Sequence, residues 1–288
     1  MLNEIVVFAP AKINLGLKVL PKRQDGFHNL ESIFQTVSLA DKLTVSKSSG
    51  FGCNVVCDKM ALPENNTISM AYKAFCDFTG CSGVAVDVIL EKHIPAGGGL
   101  GGGSSDAASL LWALEKLTDV KLSEKQLDSI ASAVGSDVFF FTHCGSEGEC
   151  CAVVSGRGEV VRVIRKRQDL HFVLVFPEVH SSTKEAYSLV DRLLANNVKK
   201  QYPLFGDLEK MYFSPVSEWK FKNTFTEALK SAYPEIEAAL QKVGETNPLY
   251  SEMSGSGSTV FGIYASREEA KKAAKILNDE GFKCVVTQ

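Results

Sequence analysis

Two early segments alternate apolar and polar residues with period two. "DKLTVSKS" is one, and "VAVDVIL" is the other, with Val84, Val86, Val88 and Leu90 on one face and Ala85, Asp87 and Ile89 on the other. Both read as strands of a sheet covered mainly on one side. Residues 5–20, "IVVFAPAKINLGLKVL", alternate or run apolar and predict strands broken at Pro10. Between them, "ENNTISMAYKAFCDF" carries Ile68, Ala71, Tyr72 and Phe75 at helical spacing.

Ala107, Leu110, Leu111, Leu114 and Leu117 make the apolar face of a second helix, with Ser104 or Ser105 placed to cap it. A third follows at once. Ser123 and Gln126 form a capping box, Leu127, Ile130, Ala131 and Val134 form the stripe, and Gly135 sits where a left-handed C-terminal residue is wanted.

From about residue 156 the texture changes. "GRGEVVRVIRKRQDLHFVLVFPE" predicts two strands around a basic turn, "TKEAYSLVDRLLANN" a helix, and residues 199–222 a polar and aromatic connection. The segment "GSTVFGIYASREEAKKAAKILNDEGFKCVVTQ" reads strand, helix, strand, with Ser266 and Glu269 as a capping box and Gly281 as the stop. The expected class is α+β in two parts, 1–155 and 156–288.

A length of 288 residues with 45% hydrophobic content is enough to bury a full core. The 31 basic and 34 acidic residues are mixed along the chain, so no positive field favours nucleic acid. The N-terminal stretch lacks the basic region and cleavage site of a signal peptide, and no apolar run has membrane-spanning length. A soluble cytoplasmic protein is expected, as a monomer or homodimer. The eight cysteines are expected as reduced, packed thiols, since Cys53/Cys57 and Cys150/Cys151 lack zinc-ribbon spacing and the five histidines form no H-E-x-x-H.

Within this ordinary composition one stretch is costly. Six of the seven residues from Gly97 to Gly103 are glycine, and they run straight into an amphipathic helix. Glycine lets backbone approach a ligand closely, at about 0.5–1 kcal/mol each inside regular structure. A helix start offers unpaired N–H groups and a positive dipole end, which suits phosphate oxygens. A Walker A loop would need a lysine where Ser104 stands, and a dinucleotide site a continuously buried parallel strand where "VAVDVIL" alternates. No H-R-D or D-F-G follows, so the protein-kinase form also fails.

The remaining pattern, P-x-x-x-G-L-G-G-G-S-S followed by "DAA", resembles the second motif of the GHMP small-molecule kinases. "APAKINLGLKVL" resembles that superfamily's first motif, and "MSGSGSTVFGIY" its third, in the right order over nearly the whole chain. "RQDGFHNLESIFQTVSLAD", "GLGGGSSDAA" and "VGSDVFFF" are most similar to the branch that acts on a CDP-linked methylerythritol. The resemblance implies a ribosomal-S5-like, ATP-binding catalytic domain over 1–155, a ferredoxin-like α/β sandwich as substrate domain over 156–288, and transfer of the γ-phosphoryl group of ATP to the substrate's 2-hydroxyl in isoprenoid precursor synthesis.

It also implies roles for particular residues. Asp137 would accept the alcohol proton, although an Asp after a helix-ending glycine also reads as a simple turn residue. Lys12 would hold Asp137 ionised and stabilise transition-state charge, although its stem could merely pack while the ammonium reaches water. Pro95, Ala96, Gly97, Gly98, Gly99, Leu100, Gly101, Gly102, Gly103, Ser104 and Ser105 would cradle the ATP phosphates, with Mg²⁺ expected beside them and no protein ligand assigned to it. Asn66 would touch adenine or simply cap its helix.

Phe27 and His28 would contact cytosine, Asn14 the methylerythritol end, and Thr183 and Tyr187 would close the pocket. Phe139 stands where the superfamily branch usually has proline, and "THCGSEGECCAVVSGRGE" departs from its usual pattern. The alternatives are another enzyme of the superfamily, such as a homoserine or mevalonate kinase, and a non-catalytic nucleotide-binding module.

Overall fold

The alternating segments pair into a six-stranded sheet. A computed structural model describes residues 2–81, 83–146, 148–179, 181–195 and 202–288. β1 (Glu4–Lys22) and β2 (His28–Lys47) form a long antiparallel pair. β3 (Cys53–Cys57), α1 (Thr67–Thr79) and β4 (Val86–Glu91) follow. Next come α2 (Gly102–Thr118), α3 (Glu124–Val134), α4 (Ser136–His143), β5 (Cys151–Gly156) and β6 (Val160–Ile164). The strand order is β3-β4-β2-β5-β6, with β1 paired to β2.

Pro10 does not break the first strand, contrary to the expectation from sequence. The register shifts between Pro10 and Lys12 instead, and the displaced Lys12 N–H donates to the Leu100 carbonyl at 2.9 Å. A bulge therefore absorbs the proline and joins the strand to the glycine-rich loop.

The second sheet contains β7 (His171–Phe176), β8 (Tyr250–Met253), β9 (Val260–Tyr264) and β10 (Lys283–Thr287), ordered β10-β7-β9-β8 and antiparallel throughout. Its helices are α5 (Thr183–Ala195), α6 (Leu208–Tyr212), α7 (Thr224–Leu229), α8 (Pro234–Glu245) and α9 (Arg267–Asp279). This strand order and the β-α-β-β-α-β succession are those of the ferredoxin-like sandwich.

Three apolar clusters tie the layers together. Phe75, Leu110, Leu114 and Ile130 pack the helices α1–α3 on one face of the first sheet. Ala186, Ile236, Ala239 and Leu277 pack helices on one face of the second, against Val173 and Val175. Between the sheets, Ile13, Leu15 and Ile33 meet Phe172, Leu174 and Phe261, together with Tyr212, Trp219 and Phe221. The polar and aromatic connection, described over 202–222, thus takes part in the fold, because Tyr212, Trp219 and Phe221 fill the core shared by the sheets. Positions 196–201, the end of the expected helix and the start of that connection, lie outside the described residues.

Four local expectations are corrected. The two strands read around the basic turn belong to different sheets, since β6 pairs with β5 and β7 with β9 and β10. The first sheet therefore runs to Ile164, and a boundary at 155/156 falls inside its last hairpin. Gly135 has φ 165° and ψ 152°, an extended rather than a left-handed conformation, which turns α3 directly into α4.

Neither Ser104 nor Ser105 caps α2. The cap is Gly101 at φ 70°, without a side-chain bond, and both serines lie inside the first turns. Cys144 and Cys150 form a disulfide, with Cα atoms 5.1 Å apart, against the expectation of eight reduced thiols. The six other cysteines are free, and burial pushes the Cys53 and Cys151 thiols up to about 12, as for inert packed sulfur.

Candidate active site

The two glycine-rich segments meet face to face. The Gly98 carbonyl accepts from Thr259 N at 3.2 Å, and the Gly99 carbonyl accepts from Ser254 Oγ at 3.0 Å. A Cβ on Gly98 would come within 2.7 Å of Thr259 Oγ1, and one on Gly99 would collide with the Ser254 carbonyl. On Gly101 it would lie 3.1 Å from the Lys12 stem. Gly97, Gly99 and Gly101 all have φ between 70° and 75°. The protein's own packing therefore requires part of this glycine run, before any ligand is considered.

Beside this junction lies a cleft of about 880 Å³. It is lined by Lys12, Asn14, Phe27, His28, Asn66, every residue from Pro95 to Ser104, Asp137, Thr183 and Tyr187. Every site residue expected from sequence borders this space except Ser105, whose side chain is buried beneath it. Leu100 contributes backbone only, its side chain being sealed in the core between the sheets.

At one end, Lys12 is buried with its ammonium fully engaged. Nζ donates to Asn14 Oδ1 at 2.8 Å and to the Gly99 carbonyl at 3.0 Å, and stands 3.3 Å from Asp137 Oδ2. The Phe34 ring lies 4.8 Å from the charge. Asn14 is fixed in turn by Ser32 Oγ at 3.2 Å. Asp137, in the first turn of α4, keeps about a third of its side chain open to the cleft. A buried cation thus faces a carboxylate that a bound molecule can reach.

At the other end, His28 Nδ1 meets the Leu20 carbonyl at 2.8 Å, Nε2 meets Asp191 Oδ1 at 3.1 Å, and the ring stacks on Tyr187 at 5.2 Å. Burial, helped by the Asp137 charge, pushes the Tyr187 hydroxyl up to about 12, so it stays a neutral donor. Phe27 is half exposed. Thr183 Oγ1 lies 3.4 Å from Ser256 Oγ, which links α5 to the second glycine segment. Asn66 caps α1, with Oδ1 accepting from Ser69 N at 3.0 Å, and still borders the cleft.

Sequence reasoning missed a buried ionic cluster under the loop. Lys92 Nζ bonds Asp41 Oδ2 at 2.5 Å and Asp106 Oδ2 at 2.9 Å, while Asp41 Oδ1 accepts from the His93 and Ile94 N–H groups. Burial pushes the Asp106 carboxyl up to about 7, with the Lys92 charge opposing and the Asp41 charge reinforcing. The signal was present in "SSDAASLL", because Asp106 is four residues before Leu110, on the apolar side of its helix.

This arrangement of two crossed glycine loops, a buried lysine paired with an accessible aspartate and a cleft between two α+β halves decides the family when set beside known proteins. Residues 66–145 match the GHMP kinases N terminal domain and residues 193–283 the GHMP kinases C terminal domain. The chain belongs to the GHMP kinases.

As a GHMP kinase it is an ATP-dependent small-molecule kinase. A 4-diphosphocytidyl-2-C-methyl-D-erythritol kinase of Treponema pallidum (strain Nichols) is 40% identical over 285 residues, covering 96% of each chain. A solved 4-(cytidine 5'-diphospho)-2C-methyl-D-erythritol kinase is 29% identical, with TM-score 0.78 over 98% of this chain and 99% of that one. A homoserine kinase from Cytophaga hutchinsonii ATCC 33406 shares the fold alone, with 19% identity and TM-score 0.67 over 99% of this chain and 94% of that one. No helix among the described residues is long and apolar enough to cross a membrane.

Proposed function

We infer that this GHMP kinase transfers the γ-phosphoryl group of ATP to the 2-hydroxyl of 4-diphosphocytidyl-2-C-methyl-D-erythritol, giving the 2-phosphate ester and ADP. Full-length similarity to kinases of that name supports the substrate. The observation that carries the chemistry is the Lys12 ammonium, 3.3 Å from Asp137 and 3.0 Å from the loop carbonyl of Gly99.

The residues divide the work along the cleft. Backbone N–H groups of the loop and first turn of α2, from Ala96 to Ser104, hold the ATP phosphates, and Asn66, which keeps one free donor and one free acceptor, meets the adenine. Phe27, His28 and Tyr187 receive the cytosine by stacking and hydrogen bonding, with Thr183 closing the pocket from α5. Asn14 orients the acceptor alcohol. Asp137 takes the hydroxyl proton as the oxygen attacks the γ-phosphorus, and Lys12 offsets the negative charge on the transferring group.

Mg²⁺ fits the loop. Asp106 Oδ1 is a buried oxygen without a hydrogen-bond partner among the described residues, and Asp106 borders the cleft at the start of α2. A carboxylate beside nucleotide phosphates is the hard oxygen donor this ion prefers. When bound, the ion would neutralise phosphate oxygens.

Coupled ADP-release assays with the CDP-linked alcohol, homoserine and mevalonate test the assignment. Turnover of homoserine or mevalonate without the CDP-linked alcohol would overturn it. Absence of turnover with any alcohol would favour a nucleotide-binding module, a reading that the paired Lys12 and Asp137 oppose.

A further inference from the structure

The tip of the β5–β6 hairpin borders the cleft through Arg157. Gly158 packs so closely on the start of α4 that a Cβ there would lie 3.1 Å from Ser136 Cβ, next to Asp137. One residue earlier, the Arg157 guanidinium lies 3.7 Å from the centre of the Phe27 ring, and both side chains border the cleft. The nearby carboxylate of Asp25 is already engaged, by Arg23 at 2.8 Å and by the Phe27 N–H at 3.1 Å. Arg157 thus stands against Phe27 at the aromatic end of the cleft, one residue from the close approach of Gly158 to Ser136 beside Asp137.

We infer that Arg157 binds the diphosphate of the nucleotide-linked substrate and, by stacking on Phe27, fixes the ring that receives the base. The inference rests on the substrate proposed above. A base at Phe27 and His28 and an alcohol at Asp137 put the connecting diphosphate between them, in the cleft that Arg157 borders. Guanidinium matches paired phosphate oxygens by bidentate geometry, and its planar face can stack at the same time.

Arg157→Ala and Arg157→Lys variants test it, with CDP and cytidine as binding probes by titration calorimetry and steady-state kinetics alongside. Charge-assisted bonds of this kind predict a rise of roughly 10-fold or more in both Kd for CDP and KM for the CDP-linked alcohol in Arg157→Ala. Cytidine affinity should fall less than about 3-fold, KM for ATP should stay within about 2-fold, and Arg157→Lys should recover part of the CDP affinity. Equal weakening of CDP and cytidine would overturn the diphosphate contact, leaving only the clamp on Phe27. Unchanged CDP binding in a folded Arg157→Ala protein would overturn the whole inference while the substrate assignment stood. A wild-type protein that binds neither probe would overturn both.

Discussion

Lys12 Nζ and Asp137 Oδ2 lie 3.3 Å apart, although one residue is on the first strand and the other in the first turn of the fourth helix. The strand bulge after Pro10 aims Lys12 at the glycine loop. The extended Gly135 turns α4 so that its first turn opens on the same cleft. With the ammonium also held by Asn14 and Gly99, the pair is set before any substrate arrives.

Lys12→Ala and Asp137→Ala should each lower kcat by about 10²–10⁴-fold, the range for a proton acceptor or a preorganised charge. Circular dichroism melts should show both variants folded. Turnover within about 5-fold of wild type in either would remove that residue from the reaction.

Gly99→Ala should destabilise by about 2 kcal/mol or more, because the position has φ 75° and the added Cβ meets the Ser254 carbonyl. Gly103→Ala, helical and with Thr67 Oγ1 as its nearest contact at 3.2 Å, should change stability by less than about 1 kcal/mol. Urea denaturation of both variants gives the comparison. Equal midpoints would mean that the two glycine segments do not hold each other as closely as described.

Lys92→Met should cost about 3–5 kcal/mol, since it leaves the Asp41 and Asp106 carboxylates buried without their shared cation. Equilibrium denaturation measures it. A loss below about 1 kcal/mol would mean that the cluster is not closed to water.

Reduction of the Cys144–Cys150 disulfide should cost about 2 kcal/mol by the loop-entropy relation for so short a closed loop. Thiol titration of the denatured, unreduced protein should find the six free cysteines and no more. Eight reactive thiols in protein purified without reductant would contradict the bridge.

Much of this protein could be read from local pattern. Alternation in "VAVDVIL" gave the buried face of Val86, Val88 and Leu90, and the Ser123–Gln126 capping box forms as expected. Those features rest on contacts within a few residues, where side-chain period and backbone hydrogen bonding leave few choices. The glycine run led to the expectation of a phosphate-type loop, and its resemblance to the superfamily indicated which distant residues to associate with it.

Long-range contacts decided the rest. Whether Pro10 ended a strand or bulged it depended on what Lys12 N–H could reach, and that was Leu100. Asp106 looked like one more residue of "GGSSDAA" until Lys92 and Asp41 were brought beneath it. Ser105 had the right type and position to bind phosphate, but its place in the helix turned it into the interior. Half of the reason for the glycines lay in residues 254–259, since a backbone without side chains was needed there to let two loops touch. Local pattern records what a residue can do; its partners, which set burial and charge, come from segments that only folding brings together.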